Sequence, residues 1–405
     1  MLDVDRSVPV LVVKVGRYPL HHGGVGAIRT LGRLGVPVYA VTEDRFTPAA
    51  VSRHLTGRFV WPTTGSEAPE ALVDRLLDLG RRVGRRAILL PTDDEAAVLV
   101  AERAGTLSER FSLPSVPVDL PRKLADKAGL YELCRATGTP APVSARPGSV
   151  DELLAVAAGM GYPVVLKNAA PWSRLQRPAV ASSTVVGTED ELRAIAAGWT
   201  DGMRAVLVQE YLPHARSQDW IVGLHCDEAG SDAQVFTGRK VRSWPPHAGV
   251  ATRAFTAANP ELAALTVALC RAIGYRGVGD LDWRFDERDG RYKLLDFNPR
   301  IGAQFRLFET DAGVDLVRAL HLDLTGRSIP GGHVAGGRSL RVENLDLPAM
   351  VAYRGDGRGP AVPRGHTELA WLSLDDPLPA LAAAIRSAAP AVGLVRRRAQ
   401  RPTNS

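Results

Sequence analysis

The chain has 405 residues, 45% of them apolar and 23% charged, and a formal net charge of +6. That length suits two or three packed subdomains, and the composition is that of a soluble globular protein, excluding collagen-like and disordered classes. The three cysteines, Cys134, Cys226 and Cys270, are scattered with no CxxC pair, which excludes a disulfide framework and a zinc site and fits a reducing cytoplasm.

The opening MLDVDRSVPVLVVKV starts acidic and lacks the pattern of a signal peptide. No apolar run reaches the roughly 18 residues of a membrane span. A cytoplasmic protein without a membrane partner is therefore expected. Part of the positive excess, Arg396, Arg397, Arg398 and Arg401, reads as a frayed basic tail. There is no aromatic-interleaved basic stripe, so no nucleic-acid partner is expected.

In chain order, VPVLVVKV (8–15) is a continuous β-branched run, as a buried parallel strand would be. A loop, GRYPLHHGGVG, follows it, and then a helix, AIRTLGRLG, stopped by Gly35 and Pro37. VPVYAVT and AILLPTDD read as strands, ALVDRLLDLGRRVG and EAAVLVAERAG as helices, with Thr92 or Asp93 as a cap. This alternation predicts a parallel α/β domain over 1–115. The Pro-rich LPSVPVDLPRK (113–123) marks a boundary.

Beyond it KLADKAGLYELCRATG and VDELLAVAAGMG are helices, and YPVVLKNA, ASSTVVG and AVLVQEYL are strands. IVGLHCDEAGSDAQVFTGRKVR reads as one hairpin and GVGDLDWRFDERDGRYKLLDFNPR as another, with its turn at Arg288-Asp289-Gly290. ELAALTVALCRAIG is a helix between them. The last 75 residues or so mix short strands with one good helix, PLPALAAAIRSAA, capped by Asp375 or Asp376.

The second hairpin carries the chemistry. Asp296 and Asn298 are two apart on one strand and share a face. Pairing across a turn near Gly290 brings Asp282 beside Asp296. Two carboxylates and an amide oxygen then converge, with Arg300 just beyond. Such hard oxygen ligands suit Mg²⁺ when nucleotide phosphates complete its shell. A surface hairpin with solvated charges would leave the apolar neighbours in LLDFNP unexplained. A second signal is compositional: of 50 basic residues only Lys14, Lys123, Lys127, Lys167, Lys240 and Lys293 are lysine. Each departs from the chain's arginine bias, and lysine is a compact charge for phosphate oxygens.

With Asp282, then Asp296-x-Asn298-x-Arg300 after a hairpin, the chain resembles the ATP-grasp superfamily. The resemblance implies α/β and α+β architecture: an ATP-grasp fold preceded by an N-terminal parallel α/β (pre-ATP-grasp) domain. It implies a small lid subdomain over 116–205, a large catalytic subdomain over 206–325, and a C-terminal extension over 326–405. It implies that Asp282, Asp296 and Asn298 hold two Mg²⁺ ions, with Mn²⁺ as a substitute, on ATP. Lys127 and Lys167 would be phosphate-binding lysines. Gln209, Glu210, Tyr211 and Leu212 would form the adenine hinge, and Asp219 would take the ribose hydroxyls. Lys240 and Arg300 would meet the transferred phosphoryl group.

The implied reaction is ATP-dependent carboxylate–amine ligation through an acyl phosphate, as in D-aspartate ligase-like enzymes. The substrates would be a small carboxylate and an amine, and a homodimer is compatible. A carboxylase or carbamoyl-phosphate-type enzyme is the alternative, and a non-catalytic ATP-binding regulator is a third reading. One departure stands out: the lid segment APWSRLQRPAVASS has no glycine. Ser173, Arg174 and Arg177 would then cover phosphates through side chains. Closure of 171–183 or 240–250 would exclude water.

Outside these motifs, HHGGVG (21–26) offers an incomplete dinucleotide-type loop in which simple turn geometry outweighs a carboxylate site. His21 and His22 read as surface residues. His247, in WPPHAG, and Arg306, beyond the metal motif, are candidate substrate contacts.

Overall fold

The computed structural model describes residues 2–63, 67–170, 180, 183–199, 206–213, 217–230, 232–247, 249–356 and 359–399. Ser173, Arg174 and Arg177 of the expected lid, and Arg401, lie outside them.

Three sheets organise the chain. The first holds β1 (Val10–Val13), β2 (Val38–Thr42), β3 (Gly57–Val60), β4 (Ala87–Pro91) and β5 (Phe111–Ser112) in the order β3-β2-β1-β4-β5. All its pairings are parallel. Helices cover both of its faces, so every residue of β1 is buried. Asp93 caps the helix Asp94–Glu102 by accepting from the Ala96 amide, and it also takes the amides of Val15 and Gly16 beyond β1.

The second sheet holds β6 (Ser144–Ala145), β7 (Val164–Asn168), β8 (Thr184–Val186) and β9 (Val206–Glu210), antiparallel in the order β6-β9-β7-β8. Its apolar face packs on the helices Val150–Met160 and Glu189–Ala196.

The third sheet is the largest. It comprises β10 (Ser217–Cys226), β11 (Ala233–Trp244), β12 (Val250–Thr256), β13 (Gly277–Asp286), β14 (Arg291–Asn298), β15 (Ser339–Arg341) and β16 (Thr367–Leu369). The order is β14-β13-β10-β11-β12-β15-β16. The last two strands come from the C-terminal segment, which is thereby tied into this sheet by backbone hydrogen bonds. One hydrophobic cluster runs from Val10, Ile28 and Leu90 to Ile221, Phe236, Phe305 and Leu316, joining the first sheet to the third.

Four local expectations are corrected. The predicted helix 123–138 is two helices, Leu120–Ala125 and Lys127–Thr137, because Asp126 leaves helical geometry and caps the second by accepting from Gly129. HHGGVG is not a loop: the helix runs His22–Gly32, with His21 as its cap. The glycines let the helix approach the segment after β14. A Cβ on Gly23 would come within 3.0 Å of the Ala303 backbone, and one on Gly26 within 2.6 Å of the Arg306 Nε. His22 is therefore buried, its ring edge-on to Trp371 at 5.9 Å, rather than on the surface. Finally, the C-terminal helix runs Leu378–Ala399, so Arg396, Arg397 and Arg398 continue a helix instead of fraying. Among the described residues no helix is long and apolar enough to cross a membrane.

Candidate active site

The second and third sheets face each other across a cleft of about 530 Å³. The hairpin β13–β14 supplies its acids. In the observed register Asp282 stands opposite Asp296, and Asp280 opposite Asn298. All four side chains therefore share a face, as the period of two requires. A bulge after Asp282 lets Leu295 go unpaired, so the alternation restarts in step beyond it.

Three of the six lysines come to these acids. Lys127, first residue of its helix, pairs with Asp296. Lys240, on β11, stands 2.6 Å from Asp282 Oδ1. That ion pair supplies the counter-charge of the buried Asp282 oxygen. Lys167, on β7, lines the cleft from the opposite sheet. The other three serve structure: Lys14 bonds Glu43 at 2.6 Å, Lys123 bonds Asp119 at 2.5 Å, and Lys293 bonds Asp286 at 2.8 Å.

The charges bias one another. Burial, then repulsion from Lys127, pushes the Lys167 ammonium down to about 8. Burial would raise Asp296, but the Lys127 ammonium, with Lys167 and Arg300 beyond it, holds it below the usual carboxylate range. Burial would lower Lys240, and Asp282 and Asp219 outweigh that and raise it. Asp280 is pushed up to about 7 by burial and by its neighbour Asp282. Two acids on one face are thus separated into a charged carboxylate at Asp296 and one at Asp280 that titrates near neutrality.

Gln209 and Glu210 end β9, and Tyr211 and Leu212 follow it. Gln209 donates to Ser144 Oγ at 2.9 Å, and the Glu210 carboxylate accepts from Lys293 at 3.1 Å. Tyr211 and Leu212 line the cleft, and the Leu212 carbonyl accepts from Arg284 at 3.2 Å. Asp219 stands directly opposite Arg284 in the β10–β13 ladder, and the two form a paired contact of 2.5 and 3.1 Å.

Asn298 spends its amide nitrogen on Asp280, at 3.2 Å to the carbonyl and 3.4 Å to the carboxylate, leaving its amide oxygen for another partner. Arg300 donates from Nε to Asp94 Oδ1 at 3.0 Å and lies 3.8 Å from Asp280. His247 lines the opposite rim with a left-handed backbone, φ 63°. Its Nε2 is 2.8 Å from Asp356, and its backbone amide donates to the Tyr353 hydroxyl at 2.9 Å.

Arg306 is not brought to this cleft. Its side chain points to the far side of the turn Phe305–Leu307, where it donates to Glu368 at 3.2 Å and to the Ala370 carbonyl at 3.0 Å. The sequence reading also missed three residues of the site. Asp280 and Arg284 flank Asp282 at two-residue spacing, so strand periodicity alone points to them. Asp94 comes from the first sheet's unit, and no local signal ties it to Arg300.

A four-stranded antiparallel sheet and a larger sheet that close on one cleft, behind a parallel α/β unit, define the ATP-grasp fold. The chain has that fold. The model of the family "Carbamoyl-phosphate synthase L chain, ATP binding domain" matches residues 251–323, which contain the hairpin β13–β14. The chain is similar to the D-aspartate ligase of Enterococcus faecium (strain Aus0004), at 23% identity over 295 residues, 69% of this chain and 68% of the relative.

Two solved structures show the same fold. One is N5-carboxyaminoimidazole ribonucleotide synthetase from Thermus thermophilus, with TM-score 0.60 and 14% identity, covering 80% of each chain. The other is the biotin carboxylase domain dimer of Hydrogenobacter thermophilus 2-oxoglutarate carboxylase, in complex with MgADP, ADP and bicarbonate. Its TM-score is 0.59 at 18% identity, covering 80% of this chain and 71% of that one.

Proposed function

We propose that the protein is an ATP-dependent carboxylate–amine ligase. The observation that carries the reading is the pairing of Asp282 with Asp296 across one ladder, each met by a lysine, facing a third lysine on the opposing sheet.

The acids fit Mg²⁺ only in company with a nucleotide. Among the described residues no group of three or more His, Cys, Asp or Glu side chains gathers as a metal centre. Two carboxylates and the Asn298 oxygen make an incomplete shell, which is how Mg²⁺ is bound when phosphate oxygens supply the rest. Asp282 and Asp296 already draw cations, Lys240 and Lys127, and their hard oxygens with that of Asn298 are the donor type Mg²⁺ takes. Asp282, Asp296 and Asn298 would hold the metal, in one or two ions, with Mn²⁺ able to substitute. Bound there, it would neutralise charge on the triphosphate.

The chain's own groups do the rest. Lys167 and Lys127 hold phosphate oxygens from the two sides of the cleft. The 209–212 hinge offers backbone to adenine, and Asp219, oriented by Arg284, faces the ribose. Lys240 and Arg300 stand where charge grows on the transferred phosphoryl group. A substrate carboxylate takes that group, and an amine displaces it as phosphate to give an amide. The low dielectric between the sheets strengthens each contact and protects the acyl phosphate from water.

His247 faces the rim and could meet the incoming substrate. The domain division at 115, 205 and 325, a cytoplasmic location and a homodimer belong to the same reading. A screen of phosphate release over acid and amine pairs, with mass detection of the amide, tests it. Release without any new amide, in every pair, contradicts ligation. Bicarbonate-dependent release needing no other acid would favour the carboxylase alternative, which the likeness to a bicarbonate-bound carboxylase domain keeps in view.

A further inference from the structure

Asp280 is the acid of the hairpin that the metal set above does not use. It stands opposite Asn298 in the β13–β14 ladder, on the face it shares with Asp282 and Asp296. Its side chain is 10% exposed, against 28% for Asp282 and 29% for Asp296. Of the three acids it is the one that solvent, and a metal with its nucleotide, reaches least.

A buried carboxylate costs stability unless it is paired. The partners here are two residues of the motif itself. Asp280 Oδ2 lies 3.4 Å from Asn298 Nδ2, and the Asp280 carbonyl accepts from the same nitrogen at 3.2 Å. Oδ2 also lies 3.8 Å from Arg300 Nη1, within reach of an ion pair. Arg300 is held further by Asp94 at Nε and by the Ile301 carbonyl at Nη1. Burial would lower the Arg300 guanidinium, and Asp94 first, then Asp280, outweigh that and raise it.

The chain makes room for this carboxyl. A Cβ on Gly302 would come within 2.3 Å of Asp280 Cγ and 2.8 Å of Asp280 Cβ. Gly302 is not in the left-handed region, so its missing side chain serves that close approach and not a turn. The two contacts of Asp280 also differ in kind. The backbone carbonyl keeps the Asn298 amide turned, whatever side chain stands at 280. The hold on Arg300 comes through the carboxylate.

We propose that Asp280 is a positioning residue: its carboxylate, seated against Gly302, holds Arg300 where the γ-phosphoryl group of ATP arrives. This rests on the ligase reading, in which Arg300 meets the transferred group. It gives a role to a side chain that acts through another and need touch neither metal nor nucleotide.

The test is calorimetric titration of the full chain with MgATP and with MgADP. ADP lacks the γ-phosphoryl group, so the ratio of the two Kd values reads the contacts made to that group. Asp280→Asn keeps the size of the side chain and removes its charge. It should weaken MgATP about tenfold, the worth of one charge-assisted hydrogen bond from Arg300, and leave MgADP within about twofold. Gly302→Ala displaces the carboxyl without changing its chemistry and should give the same split. If Asp280 were only a nearby negative charge, neutralising it would tighten both nucleotides. Unchanged or tighter MgATP binding in Asp280→Asn therefore overturns the proposal. Equal losses for MgATP and MgADP overturn it as well, because they mark a merely structural role. If Asp280→Asn does not fold, Gly302→Ala decides by the same criteria. A wild type that binds neither nucleotide removes the ligase reading and this proposal with it, an outcome read before any variant is made.

Discussion

Arg300 Nε donates to Asp94 Oδ1 at 3.0 Å, across 206 positions of sequence. Asp94 opens a helix of the parallel α/β unit, and Arg300 ends the acidic hairpin of the third sheet. The contact ties the N-terminal unit to the site, because Asp94 itself lines the cleft and holds the Arg300 guanidinium beside Asp280.

Replacing Asp94 should therefore act on turnover more than on nucleotide affinity. Asp94→Ala is expected to lower kcat about tenfold while the Kd for ATP changes less than about twofold, since only an interaction aimed at the reacting end is lost. Asp94→Glu should restore part of the rate. Equal effects on kcat and Kd, with no rescue, would mean that the contact is only structural.

Lys167 gives a pH signature. Its ammonium in the free protein titrates at about 8, and phosphate binding favours the charged form. Below that value the lysine is already charged and affinity is flat. Above it binding must take up a proton, so the Kd for ADP should rise by up to tenfold per pH unit. Lys167→Arg stays charged and should lose the dependence. Calorimetric titration from about pH 7 to pH 9.5 measures both proteins. An unchanged wild-type Kd across that range removes the role assigned to Lys167.

Stability should carry a separate pH dependence from His22. Burial in its helix pushes the imidazole from 6.5 down to about 3. The folded-state value is depressed, so the unfolded chain binds the extra proton, and stability falls as pH drops below about 6.5. Between about pH 7.5 and pH 5.5 the wild type should lose about 1.4 kcal/mol more than His22→Phe in urea unfolding. Parallel losses in the two proteins would show that His22 takes no part.

The acidic hairpin was legible because its information is local: the turn at Gly290 sets the register, and the period of two sets the face. Lysine scarcity pointed to Lys127, Lys167 and Lys240 for a different reason, since each departs from the chain's arginine bias. What stayed hidden depends on long-range packing. Arg306 follows Arg300 by six residues, but the turn Phe305–Leu307 sends its side chain away from the cleft, to Glu368 and Ala370. The glycines of HHGGVG looked like an anion loop, and their small size instead admits the 303–306 segment against a helix. Nothing in the last 75 residues or so specifies that two short strands will extend the third sheet.

The central claim is that Asp282 and Asp296 hold Mg²⁺ against a bound triphosphate. Calorimetric titration of ATP with and without Mg²⁺, in the wild type and in the double variant Asp282→Asn with Asp296→Asn, tests it directly. The wild type should bind ATP at least about tenfold tighter with the metal, a gain of about 1.4 kcal/mol. The double variant should still bind ATP but lose that gain. The same metal-dependent gain in both proteins contradicts the account.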